Sequence, residues 1–135
     1  MTTEKRLDVP LQQPEDVVTA RQSVRAWALE LGFSLIDQTK VVTAASELAR
    51  NTIIHGGGGQ VLLEIIQEGN RRGLRLTFAD SGPGIPDIER AMQDGFTTGV
   101  GLGLGLGGAK RLSSEFSIQS QPGVGTRITI VRWKG

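Results

Sequence analysis

Glycine placement constrains this chain more than any other feature. Nineteen of the 135 residues are glycine, about twice the usual share. They are not spread as in a flexible linker. They cluster at 56–59, 82–84 and 99–108, each cluster between segments of clear hydrophobic periodicity. That distribution predicts shaped loops joining regular elements.

The periodic segments give the elements. Arg6 to Val9 predicts a short first strand. Pro14 stands where helices begin, and Val17, Ala20, Val24, Trp27 and Leu31 follow at offsets of three and four, so an amphipathic helix runs to Gly32. A second helix is expected over 35–54, with Val41, Ala45 and Leu48 as its buried stripe and the glycines from Gly56 as its stop. Val61 to Gln67 reads as a strand, Gly69 to Gly73 as a polar hairpin turn, and Leu74, Leu76 and Phe78 as the inward set of the next strand. A short helix is expected from Pro86 through Met92 and another over 105–113. Two final strands are marked by Phe116/Ile118 and Ile128/Ile130 around the Pro122-Gly123 turn. This order predicts an α/β (α+β) two-layer sandwich with a mixed, mostly antiparallel sheet and helices on one face. The whole of 1–135 is expected to form one domain, since no repeat or linker interrupts it.

Composition removes several function classes. Fifteen basic and 14 acidic residues give a formal charge of +1, which favours neither nucleic acid nor an anionic membrane as the main ligand. Without cysteine there is no disulfide, thiolate metal site or cysteine nucleophile. Met1 to Asp8 is polar with no signal-peptide core behind it, and the apolar runs fall far short of the ~20 residues of a membrane helix. A cytoplasmic location is the expectation.

Four separated segments carry the chemistry. Glu47 and Asn51 are four apart on the second helix and share one face. An Asn oxygen suits Mg²⁺, which binds mainly through nucleotide phosphates, and the carboxylate one turn away can accept a hydroxyl proton. Alone, the pair would be read as a solvated helix face. Asp80 closes a strand and precedes Gly82 and Gly84, so a planar base can approach the backbone closely and offer an amine to the carboxylate; alone this is an ordinary turn sequence. Gly101, Gly103 and Gly105 precede a helix and can present backbone N–H groups to phosphates. Gly125-Thr126 is the fourth segment. The Gly103–Gly108 spacing also fits a dinucleotide fingerprint, but that motif must directly follow a strand, and here a polar helix and loop intervene. No Gly-Lys-Ser/Thr of a P-loop occurs. Lys110 and Arg111 divide evenly between surface charge and phosphate contact. The single histidine, His55, cannot build a multi-histidine metal site and is expected as a polar helix end.

With these segments in this order, the chain resembles the GHKL ATPase superfamily, the ATP-binding (Bergerat) fold of gyrase, Hsp90, histidine kinases and MutL. Glu47-Leu-Ala-Arg-Asn51 looks like its N box, Asp80-Ser-Gly82-Pro-Gly84 its G1 box, Gly101 to Gly105 its G2 box and Gly125-Thr126 its last box. Within the superfamily it is most similar to the RsbT-type serine/threonine switch kinases of bacterial partner-switching modules, through Ser46-Glu-Leu-Ala-Arg-Asn51, Gly82-Pro-Gly-Ile-Pro-Asp-Ile88, Asp94-Gly-Phe-Thr-Thr98 and Gly108-Ala-Lys-Arg-Leu112. The glycine-leucine alternation of the G2 segment is richer than in those relatives.

The resemblance implies that Asp80 binds the adenine amine, that Gly82 and Gly84 shape the base pocket, and that Thr126 assists. It implies that Asn51 holds Mg²⁺, that Gly101, Gly103, Gly105 and Lys110 serve the phosphates, and that Glu47 is the base. Arg50, Lys110 and Arg111 are the candidate cations for the γ-phosphate. The implied activity is ATP-dependent phosphorylation of a small STAS-domain antagonist, followed by activation of a downstream partner such as a PP2C-type phosphatase. The alternatives are an anti-sigma factor that sequesters a sigma subunit, and a nucleotide-gated binding protein without transfer chemistry. No transducer domain is expected beside the ATP-binding one. It also lacks an acceptor histidine on a dimerisation helix, so the phosphoryl acceptor is expected to be another protein or water.

Overall fold

The computed structural model describes residues 1–92 and 105–134. Two long helices come first after a strand, and their ends follow from local chemistry. β1 (Thr2–Leu11) leads into α1 (Pro14–Glu30), where Pro14 lacks an N–H that the first turn could not satisfy anyway. The Asp16 carboxylate accepts from the backbone N–H groups of Gln12 (2.8 Å) and Gln13 (3.0 Å), closing that end. At the other end Gly32 takes a φ of 82°. The Phe33 N–H returns to the Ala28 carbonyl at 2.9 Å, a Schellman-type stop. α2 (Leu35–Ile54) opens on Ser34, whose hydroxyl accepts from the Asp37 N–H at 3.1 Å.

β2 (Gly59–Glu68) and β3 (Arg71–Asp80) form a hairpin on a two-residue turn, Gly69-Asn70. The expected five-residue turn was too long. Arg71 and Arg72 belong to the strand because they pair with Glu68 at 2.8 Å and Glu4 at 3.0 Å, so their polarity marks ion pairing rather than a loop. β1 is likewise longer than the expected Arg6–Val9. After α3 (Ile88–Ala91) come α4 (Gly105–Arg111), β4 (Glu115–Gln121) and β5 (Gly125–Trp133).

The sheet order is β1-β2-β3-β5-β4. All the pairings among described strands are antiparallel, so the expected mixed character does not appear. On the inner face Val61, Leu63 and Ile65 lie beside Leu74, Leu76 and Phe78, and then Ile128 and Ile130. All pack in one cluster with Val24, Trp27 and Ala28 of α1, Val41, Ala45 and Leu48 of α2, and Leu106 and Ala109 of α4. Burial of this set in a close-packed core drives the fold.

The other face of the sheet carries Glu64, which is only 6% exposed. It is held by Arg75 at 2.9 Å and by Arg6 at 3.9 Å. A second cross-element ion pair, Asp37 to Arg132 at 2.6 Å, ties the start of α2 to β5. That bond holds the Asp37 carboxyl below the usual carboxylate range. Among the described residues no helix is long and apolar enough to cross a membrane.

Candidate functional site

Strand pairing builds the first half of the site. Asp80 is the last residue of β3, and its neighbour across the ladder is Thr126, near the start of β5. These two are 46 positions apart in the chain, yet on one sheet face their Cβ atoms fall within about 5.5 Å. The Asp80 Oδ1 accepts from the Gly82 N–H at 2.9 Å, which leaves Oδ2, lying beside Gly56, as the group's second acceptor.

Ser120 stitches this corner together. Its hydroxyl lies 3.0 Å from that of Thr126 and accepts from the Ile85 N–H at 2.6 Å. The loop after β3 is therefore fastened to the β4–β5 hairpin. A Cβ on Gly84 would stand 2.5 Å from the Gln121 carbonyl oxygen, so this close approach needs glycine. A cavity of about 520 Å³ opens at these strand ends, lined by Asp80, Ser81, Ser120, Gln121, Gly125 and Thr126 among others. It wraps around to Gln119 and Arg127 on the open face, and its described lining does not include Glu47 or Asn51.

The last turns of α2 supply the second half. Glu47 and Asn51 project from the same side, about 6 Å apart along the axis. Glu47 has a side-chain exposure of 15% and pairs with Arg50 at 3.1 Å. The Asn51 carbonyl accepts from the N–H groups of His55 (2.9 Å) and Gly56 (3.2 Å). Gly56 in turn lies against the Asp80 side chain, and the Gly82 backbone is packed on Gly56. The end of α2, one turn beyond Asn51, thus abuts the end of β3. His55 occupies the C-cap of α2, as expected.

α4 borders α2. Gly105 begins it with a φ of 65°, while Lys110 and Arg111 stand exposed in its last turn. Lys110 is thus about 7.5 Å further along the axis than Gly105. Gly101 and Gly103, with the Asp94–Thr98 phrase, lie outside the described residues.

The structure therefore brings Asp80, Gly82, Gly84 and Thr126 together and links them through Gly56 to the backbone of Asn51, with Glu47 one turn further back on α2. Two participants escaped the sequence reading. Ser120 shares the inner-face alternation of Phe116 and Ile118, which was a usable signal. Gly56 looks in the sequence like a helix stop and nothing more.

The donor chemistry suits a hard divalent cation. Asn51 and Glu47 offer oxygens, and among the described residues no group of three or more His, Cys, Asp or Glu could hold a metal alone. A cation bound chiefly through phosphates and water, as Mg²⁺ usually is, fits such a set.

Comparison with known proteins gives a consistent result. Residues 36–134 match the model of the histidine kinase-, DNA gyrase B-, and HSP90-like ATPase family. The chain is 49% identical over 118 residues to the serine/threonine-protein kinase RsbT of Bacillus subtilis, covering 87% of this chain and 89% of that one. It is 35% identical over 120 residues to the anti-sigma F factor of Bacillus licheniformis, covering 84% and 81%. Among solved structures, the RsbU and RsbW domains of Rv1364c from Mycobacterium tuberculosis superpose with a TM-score of 0.67 at 22% identity. That match covers 98% of this chain but 33% of the longer one. The mycobacterial sensor histidine kinase MprB gives 0.56 at 20% identity, covering 96% and 97%. These two structures attest the fold alone.

Proposed function

Because the chain belongs to the histidine kinase-, DNA gyrase B- and HSP90-like ATPase family, we propose that it is an ATP-dependent serine/threonine kinase whose substrate is a STAS-domain antagonist. The observation that carries this reading is the abutment of α2 on β3. α2 carries a carboxylate and an amide oxygen (Glu47, Asn51) and β3 ends on an acceptor suited to a base (Asp80), which supports reading the three as one site. The 49% identity to a serine/threonine-protein kinase supports the choice of chemistry.

In this reading the Asp80 Oδ2 accepts from the adenine amine. Thr126 and Ser120 brace that edge, and the loop 82–84 lets the base lie close to the backbone. Asn51 would hold Mg²⁺, which when bound supplies charge neutralisation on the phosphates. The glycines 101, 103 and 105, with Lys110, would serve the phosphates.

The acceptor hydroxyl attacks the γ-phosphorus, the bond from phosphorus to the β,γ-bridging oxygen breaks, and ADP leaves. Glu47 takes the hydroxyl proton. The transition state is loose, so positioning and charge stabilisation do most of the work. The Arg50 ion pair keeps Glu47 aimed. Phosphorylation of the antagonist would release the kinase to activate a second protein of the PP2C phosphatase kind.

The test is incubation with γ-labelled ATP, Mg²⁺ and candidate STAS proteins. Label on a STAS hydroxyl that disappears with Glu47→Ala or Asn51→Ala supports the reading. Label that persists in both variants removes these residues from the chemistry. A second reading, sequestration of a sigma subunit, is favoured by the 35% identity to an anti-sigma F factor. Stable capture of a sigma subunit without STAS labelling would select it.

A further inference from the structure

We infer that Gly56 is the positioning residue that aims the Asp80 carboxylate at the base, an inference that rests on Asp80 being the adenine acceptor. A Cβ built on Gly56 would lie 2.5 Å from the Asp80 Oδ2 and 2.6 Å from its Cβ. Ordinary carbon contacts sit near 3.5–4.0 Å, so a methyl group there demands a displacement of about 1 Å.

Neither backbone can yield easily. Gly82 is stacked on Gly56, such that a Cβ on Gly82 would stand 2.6 Å from the Gly56 carbonyl oxygen. The Gly56 N–H is held by the Asn51 carbonyl at 3.2 Å. The Asp80 backbone is paired on one side with Gly59 and on the other with Thr126. The carboxylate can rotate away, which breaks its 2.9 Å bond to the Gly82 N–H, but the Asp80 Cβ moves only with the end of β3, so relief takes a small shift of that strand end as well. Gly56 thus sets where Oδ2 points. Its neighbour Gly57 makes a useful contrast. Its φ of 74° strains any side chain placed there, but a Cβ meets nothing within 4 Å, so alanine at Gly57 disturbs the turn without touching Asp80.

The experiment compares, by calorimetry with Mg²⁺ on the full chain, the affinities for ATP and for purine riboside triphosphate, which lacks the 6-amino group. The wild-type protein should prefer ATP by about tenfold or more, the usual worth of a hydrogen bond to a charged group. Gly56→Ala should lose affinity for ATP but hold purine riboside triphosphate within about threefold, so the preference collapses. Gly57→Ala should keep it.

Equal loss for both nucleotides in Gly56→Ala, or an unchanged preference, overturns the inference. So does collapse in Gly57→Ala. No preference in the wild-type protein instead refutes Asp80 as the adenine acceptor, a separate failure. Should Gly56→Ala not fold, adding Asp80→Gly removes the atoms the new methyl meets. Recovery of folding supports the contact, and its absence refutes it.

Discussion

Asp80→Asn separates binding from folding, because the two carboxylate oxygens have different jobs. Oδ1 accepts from the Gly82 N–H at 2.9 Å, and the amide oxygen of the variant can keep that bond. The amide nitrogen then occupies the place of Oδ2 and confronts the adenine amine with a second donor. A hydrogen bond to a charged group is worth about 1.5–3 kcal/mol, so its loss should weaken ATP binding roughly 10- to 150-fold. The turn itself survives, and thermal unfolding should shift by only a few degrees, roughly what 1 kcal/mol produces in a domain of this size. Inosine triphosphate carries a carbonyl at the same position and can accept from the new amide, so the ratio of ATP to inosine triphosphate affinity should narrow. Calorimetry with each nucleotide and a melting curve suffice. Unchanged ATP affinity would refute the argument. A melting temperature lowered by more than ten degrees along with the affinity would show that the oxygens do not divide the work in this way.

Three further outcomes are expected. Glu47→Gln keeps the side-chain shape but removes the proton acceptor, so the rate of phosphoryl transfer should drop about 10²- to 10⁴-fold with ATP affinity within about threefold, measured by single-turnover labelling. Gly59→Ala should cost about 3 kcal/mol in urea unfolding, because a Cβ there collides with the Ala79 carbonyl oxygen. The Asp37 carboxyl is held low by the Arg132 hydrogen bond. The stability from that bond is therefore present above the ordinary carboxylate pKa of about 3.9 and is lost as pH falls through the lower folded-state value. Asp37→Asn should destabilise the protein at pH 7 and flatten its loss of stability below about pH 4, by urea titration at several pH values.

Elements with strong local stops were legible from residues alone. Pro14, Gly32 and the 35–54 periodicity gave both long helices nearly to the residue, because capping chemistry is local. β1 was not legible in full. Most of its residues are exposed on this edge strand, so Thr2 to Lys5 show no alternation. The β2–β3 turn was overestimated because Arg71 and Arg72 are polar for a tertiary reason, their ion pairs with Glu68 and Glu4. Glu64, set among aliphatic neighbours, gave no hint that Arg75 and Arg6 would hold it on the open face.

Within the site, spacing placed Glu47 and Asn51 on one helix face. The meeting of Asp80 with Thr126 depends on β5 inserting between β3 and β4, a choice made by the whole sheet. Gly56 is the instructive miss. A helix stop and a close-packed contact demand the same residue type, and only the neighbour brought in by folding tells them apart.

In the proposed function, the last turns of α2 and the β3–β5 edge form one nucleotide site. Amide chemical-shift mapping on ¹⁵N-labelled protein titrated with Mg²⁺ and a non-hydrolysable ATP analogue tests it directly. Saturable shifts are expected at Asn51, Gly56, Asp80, Ser81, Gly82, Gly84, Ser120 and Thr126, with Thr2 to Asp8 and the Gly69-Asn70 turn unmoved. Shifts confined to the β1 edge or the open sheet face, with Asp80 and Asn51 silent, would contradict it.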